Sequence, residues 1–177
     1  MKHFILLFAF ILGINSYSQE QKSYTNFTSK NELKLNVAYL IAGYPEILFE
    51  RVLTSETSLG ISLSFAIDNK SNEEENNAYN FSLIPYYRVY FGEKPKAGFF
   101  VEANLTIYSQ KKTAGDIFSS EKKGGTGFGI GFNVGKKYRT KNGWIGEISF
   151  GISRTLVNSD KVNLLYPRAG IIIGKIF

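Results

Sequence analysis

The feature that most constrains the fold is a two-residue alternation of apolar and small side chains. Leu59, Ile61, Leu63, Phe65 and Ile67 alternate with Gly, Ser, Ser and Ala. Successive side chains of a β-strand point to opposite faces, so this run predicts a strand with one fully apolar face. The same alternation recurs at residues 99–108, 127–135 and 144–153. The chain is therefore expected to be all-β.

The alternation predicts eight strands. They span residues 32–41, 46–53, 58–68, 78–91, 98–109, 125–138, 144–155 and 166–177. Most exceed the usual length of about 5–6 residues and suit a tilted strand that crosses a bilayer, which needs about 9–11.

The connections between these strands alternate in length. Short turns at 54–57, 92–97 and 140–143 fall at one end, and longer polar loops at 69–77, 110–124 and 156–165 fall at the other, together with a short link at 42–45. An even number of strands with this layout is typical of an eight-stranded antiparallel up-and-down transmembrane β-barrel.

The first 18 residues are predicted to be a signal peptide. Lys2 precedes an apolar run from Phe4 to Ile14, and Ser16 and Ser18 supply the small residues that signal peptidase requires. We expect cleavage after Ser18, followed by a short tail at 19–31 and the barrel at 32–177.

The alternation alone leaves open which face points inward. A secreted calycin-like barrel that binds an apolar ligand would place the apolar face inside, whereas a membrane barrel places it outside. The polar face is rich in small residues, which suit the narrow interior of an eight-stranded barrel. Aromatic residues also gather near the strand ends, as expected for membrane interfaces. They are Tyr44, Tyr79 and Tyr166 on the loop side, and Tyr87, Phe91, Phe99, Tyr138 and Trp144 on the turn side.

The final strand, Tyr166 to Phe177, ends on an aromatic residue. Together with the signal peptide and the eight amphipathic strands, it resembles the small outer-membrane β-barrel proteins of Gram-negative bacteria. The resemblance implies that Phe177, Ile173 and Ile171 form the signal read by the barrel-assembly machinery. Lys175 departs from the pattern, because an apolar or aromatic residue is usual at that position. The resemblance to outer-membrane barrels also implies an outer-membrane location with both termini in the periplasm.

Counting along each strand in steps of two, which we call strand parity, places five charged side chains on the face with the small residues. They are Glu50, Arg88, Glu102, Glu147 and Arg168. Because enclosed charges must be paired or hydrated, we expect a structural charge network in the lumen. The functional alternative is that these charges line a narrow pore. A basic set around the last short turn, at Lys136, Lys137, Arg139 and Lys141, is interpreted as a belt of interfacial cations.

Enzymatic chemistry is not expected. The chain has no Cys, and its one His, His3, lies in the predicted signal peptide. A His-assisted hydrolase and a His or Cys metal site are thereby excluded, and no catalytic residue, metal site or cofactor is predicted. The net charge of +6 does not indicate nucleic acid, because the cations are scattered through an exported chain. We expect a monomer whose partners are the lipid bilayer and the assembly machinery, with a structural or surface-interaction role.

Overall fold

The computed structural model describes residues 30–67, 79–92, 97–112 and 122–177. The predicted signal peptide, almost all of the tail at 19–31, the loop at 69–77 and part of the loop at 110–124 lie outside these residues. Within them, no helix is both long and apolar enough to cross a bilayer.

Eight strands form one closed antiparallel sheet. In chain order the elements are β1 (Asn31–Asn36), α1 (Val37–Ile41), β2 (Glu46–Val52), β3 (Thr57–Phe65), β4 (Tyr79–Phe91), β5 (Gly98–Gln110), β6 (Gly125–Arg139), β7 (Trp144–Val157) and β8 (Leu165–Ile176). Each strand pairs with its sequence neighbours, and β1 pairs with β8 to close the ring. The predicted eight-stranded up-and-down barrel is confirmed.

The first predicted strand is too long by five residues. It was expected to span 32–41, but β1 ends at Asn36 and Val37–Ile41 forms the short helix α1. The Asn36 side chain accepts a hydrogen bond from the Tyr39 backbone N–H, as an N-cap residue does. Gly43, at a φ of 75°, takes the left-handed conformation that follows many helices. The five helical residues are all apolar, so the alternation had already stopped at Asn36.

The apolar face of the sheet points outward. On β3, Leu59 is 53% exposed and its apolar neighbours on the same face are similarly open, while Ser58, Ser62 and Ser64 are fully buried. The barrel thus has an apolar outer wall and a polar interior. The calycin-like alternative needs the opposite arrangement, and it is therefore wrong for this chain.

The interior is crowded enough that a single methyl group matters. Gly60 on β3 lies opposite Tyr86 on β4, and a Cβ at Gly60 would overlap the Tyr86 ring. We expect Gly60→Ala to lower the free energy of unfolding by about 1–3 kcal/mol, the usual cost of overpacking. Gly146→Ala is the matched control, because a Cβ there meets nothing within 4 Å. Urea unfolding in detergent micelles measures both, and equal effects would contradict the crowding.

Candidate functional site

The most distinctive feature of the barrel interior is a network of charged side chains. All five predicted lumen residues point inward, and each is at most 7% exposed. They are Glu50 on β2, Arg88 on β4, Glu102 on β5, Glu147 on β7 and Arg168 on β8. The parity of each strand decides this placement, since neighbouring residues on the same strands face outward.

Glu50 is the carboxylate with the most partners. Its Oε2 lies 2.5 Å from Lys34 Nζ and 2.9 Å from Arg88 Nη1, and its Oε1 lies 3.1 Å from Lys137 Nζ. The hydroxyl of Tyr90 donates to Oε1 at 2.5 Å, and that of Tyr86 donates to Oε2 at 3.2 Å. Glu50 therefore joins three cations that come from three different strands.

Arg88 joins the carboxylates in the same way. Its Nε donates to Glu102 Oε2 at 2.7 Å, and its Nη1 lies 2.9 Å from both Glu50 Oε2 and Glu147 Oε2. The guanidinium also lies over the rings of Tyr86 and Phe100, at 4.5 Å and 4.2 Å from their centroids. The weakly hydrated guanidinium of arginine suits this position between ring faces and carboxylates better than the ammonium group of lysine does.

Arg168 extends the network towards the end of the barrel that carries α1. Its Nη1 lies 2.6 Å from Glu102 Oε1 and its Nη2 lies 3.2 Å from Glu46 Oε1. Glu46 in turn accepts hydrogen bonds from Ser62 Oγ at 2.5 Å and Asn36 Nδ2 at 2.8 Å. At this end the charged network is therefore hydrogen-bonded to neutral polar side chains.

An aromatic cluster fills the end of the lumen on the side of the long connections. Tyr108 and Tyr166 are almost fully buried with Ile84, and Tyr79 packs against them. Val162, from the connection between β7 and β8, is fully buried in the same cluster. The Asn163 carbonyl beside it accepts a hydrogen bond from Tyr108 Oη at 2.6 Å. This connection is exposed over most of its length, and its Val162 side chain packs into the end of the lumen.

The carboxylates of the network do not make a metal site. Glu32, Glu50 and Glu147 each bring an oxygen within 4.8 Å of the others. However, Lys34 Nζ lies 2.5 Å from Glu50 and 2.7 Å from Glu147, and Lys137 Nζ lies 2.5 Å from Glu32. These ammonium groups already occupy the space that a cation would need, and they would repel one. The arrangement is suited to holding strands together.

Residues 4–169 match a protein family described as "Protein of unknown function (DUF3575)". The chain belongs to the DUF3575 family. No curated protein matches its sequence.

One similar structure is the N-terminal β-barrel domain of Pseudomonas aeruginosa OprF. The two share 15% sequence identity with a TM-score of 0.56, over 84% of this chain and 96% of that domain. At this identity the likeness concerns the fold alone, and it agrees with the closed eight-stranded barrel of this DUF3575 member.

Sequence reasoning missed four charged members of the network. Glu32, Lys34, Glu46 and Lys137 are each at most 2% exposed. The parity rule already contained the signal, since Lys34 lies between the outward residues Leu33 and Leu35.

The assignment of Lys137 to an interfacial belt was wrong. It shares its face of β6 with the buried Asn133, whereas its neighbour Lys136 is exposed and lies over the Tyr138 ring at 5.2 Å.

Of the aromatic residues predicted to lie at the two interfaces, only those on the turn side lie on the outer wall. Phe91, Phe99, Tyr138 and Trp144 are about half exposed on the outer wall near the short turns. The predicted belt on the loop side is wrong, because Tyr44 and Tyr166 are buried and Tyr79 packs against the lumen cluster. Tyr166 shares the inward parity of Arg168, and a register shift between Tyr79 and Phe81 turns Tyr79 inward.

The three residues of the predicted assembly signal lie on the outer wall at the closure of the barrel. Ile171 and Ile173 are about half exposed, and Phe177 is 67% exposed. The backbone N–H of Phe177 donates to the Asn31 carbonyl at 2.9 Å, and the Asn31 N–H donates to the Phe177 carbonyl at 3.1 Å. Phe177 therefore extends the contact between the first and last strands.

Proposed function

We propose that this DUF3575 member is an outer-membrane β-barrel protein with a structural or surface-interaction role and no enzymatic activity. The observation that carries the proposal is the inverted barrel, with its apolar side chains outside and its ion pairs inside. Soluble monomers rarely expose contiguous apolar patches above a few hundred Å². Here β1 to β8 all contribute large apolar side chains to the outer wall. Contact with lipid would account for that wall.

We propose further that the short-turn end of the barrel faces the periplasm, together with both chain termini. In outer-membrane barrels the short turns are periplasmic and the longer loops extracellular. The Ile176 N–H donates to the Gly143 carbonyl of a short turn at 2.9 Å, and Phe177 pairs with Asn31. Both ends of the barrel sequence therefore lie beside the short turns. The longer connections would then face the exterior of the cell and meet any partner there.

The narrow pore has no observation in its favour. The ion-paired network occupies the middle of the lumen, and the cluster around Val162 and Tyr108 occupies one mouth. An eight-stranded barrel is just wide enough for side chains to fill its interior. A packed lumen fits a protein that stabilises the membrane or displays its loops.

Cell fractionation combined with gel electrophoresis tests the proposed location. We expect the protein in the outer-membrane fraction, with a mobility that changes after boiling because the barrel resists unheated detergent. A soluble periplasmic protein without heat modification would contradict the proposal.

A variant in the same assay tests the proposed partner. We propose that the barrel-assembly machinery reads Phe177 together with Ile173 and Ile171. Phe177→Ala is expected to reduce the heat-modifiable, folded fraction, while Phe99→Ala, which removes an exposed aromatic residue elsewhere on the outer wall, should not. Equal losses in both variants would indicate a general packing effect.

A further inference from the structure

The outer wall carries an apolar groove across the seam at which the barrel closes. It has a volume of about 350 Å³ and lies over β8, β1 and β2. Leu33, Leu35, Ile47 and Ile173 supply its apolar walls. Trp144 and Lys175 complete it towards the short-turn end.

Lys175 gives the groove a polar end. Its Nζ lies 4.8 Å from the centroid of the Trp144 ring, a cation–π arrangement that holds the ammonium beside an amphipathic ring. Lys175 is exposed and has no ion-pair partner among the residues that the structure describes. This is also the position at which the C-terminal pattern departs from an apolar residue, so the lysine needs an explanation.

Among the described residues, the outward charged side chains of the strands around the groove are all positive. On β7, β8, β1 and β2 the outward charged side chains are Arg51, Arg154 and Lys175, and every carboxylate of these strands faces the lumen. Arg51 lies opposite Asn31, which pairs with Phe177, one step nearer the short-turn end than Lys175. An anion at the short-turn end of the groove would therefore meet Lys175, with Arg51 beyond it, and no side-chain carboxylate on the outer face of these four strands.

We propose that this seam groove binds one anionic glycerophospholipid, with an acyl chain along Leu33, Leu35 and Ile173 and the phosphate at Lys175. The proposal rests on the proposed function, because a lipid site requires the outer wall to face a bilayer. The groove supplies the contact for the chain, Lys175 supplies the charge for the phosphate, and the Trp144 ring lies at the boundary between them.

A second groove on the outer wall shows what the seam groove adds. It lies over β3 to β6, has a volume of about 460 Å³, and is lined by residues that include Leu59, Pro85, Ala103 and Ile130. No charged side chain lines it. Such a groove can take an acyl chain but has nothing to distinguish one headgroup from another. Headgroup selectivity is therefore expected at the seam groove and not at this second groove.

The single Trp of the chain reports on this site directly. The full protein is purified and reconstituted into vesicles of phosphatidylcholine and phosphatidylglycerol, and Trp144 fluorescence is measured. In one series only the phosphatidylglycerol carries bromine on its acyl chains, and in the other only the phosphatidylcholine does. Bromine quenches Trp on contact, so the two series give the relative occupancy of the groove by each lipid.

We expect an approximately fivefold preference for phosphatidylglycerol, the size of effect that one lysine has beside an anionic membrane surface. Lys175→Gln should reduce the preference to about onefold, and Lys175→Arg should retain it. Lys136→Gln is the matched control, because Lys136 also lies over an aromatic ring on the outer wall but not at the seam groove.

Three results would overturn the lipid site while leaving the proposed function intact. They are equal quenching by both lipids in the unsubstituted protein, an unchanged preference in Lys175→Gln, and an equal loss in Lys136→Gln, which would indicate diffuse attraction at the rim. Quenching by neither lipid would show that Trp144 is outside the bilayer, and it would contradict the proposed function as well.

Discussion

Glu50→Gln is expected to lower the free energy of unfolding of the barrel by about 3–5 kcal/mol, the cost of breaking a buried ion pair by removing one partner. Glu50 is fully buried and contacts Lys34, Arg88 and Lys137. Without its charge these cations share the remaining carboxylates, and water cannot replace the lost partner. Equilibrium unfolding in urea, followed by the change in gel mobility, measures the loss.

Glu56→Gln provides the control for this experiment. Glu56 is exposed in the turn between β2 and β3, so the same chemical change should alter stability by less than about 1 kcal/mol. A loss in Glu50→Gln no larger than that of Glu56→Gln would show that the network contributes little to stability. In that case the structural role proposed for the lumen would fail.

Phe132→Arg is expected to destabilise the protein in lipid vesicles by about 2–4 kcal/mol, the cost of an arginine on the lipid face at the bilayer midplane. Phe132 lies near the middle of β6 and is 57% exposed on the outer wall. In a barrel surrounded by water an exposed arginine would be harmless. The measurement therefore distinguishes a membrane wall from a soluble surface.

A second arginine substitution, at a different depth along the outer wall, provides the comparison with Phe132→Arg. Phe91 is 53% exposed at the end of β4, beside a short turn, where an arginine can reach the interface. Phe91→Arg should cost about 0–1 kcal/mol, the value for an interfacial position. Equal effects of the two substitutions would contradict the expected depth dependence, and with it the lipid-facing wall.

The barrel could be predicted because its signal is local and repeated. The alternation that begins at Leu59 specifies which side chains share a face, and the alternating lengths of the connections specify antiparallel neighbours. Which face lines the lumen could not be predicted from the alternation alone, and it was inferred from the small size of the residues on the polar face. The helix α1 could not be predicted in the same way, because its five apolar residues carry no alternation and its start depends on the Asn36 cap.

The inward position of a charged side chain could be predicted only where it depends on the alternation within its own strand. Parity placed Arg88 and Glu102 inside, and the same rule applied to Lys34 and Lys137 would have added them. The pairing of Lys137 with Glu32 joins residues 105 positions apart. Such a contact depends on the stagger of the strands around the closed barrel, which alternation does not encode. The inward turn of Tyr79 likewise depends on a register shift in the ladder between β4 and β5.

The charged residues of the lumen come from seven of the eight strands, all except β3. Two of the ion pairs, Lys34 with Glu147 and Lys137 with Glu32, link β1 to β7 and β6 across the closing seam. An open sheet with β1 still detached would remove Lys34 from Glu147 and Glu32 from Lys137, and would leave Glu147 and Lys137 with fewer ion-pair partners. Assembly of this barrel should therefore be cooperative, with intermediates that lack β1 sparsely populated and closure acting as an all-or-none step.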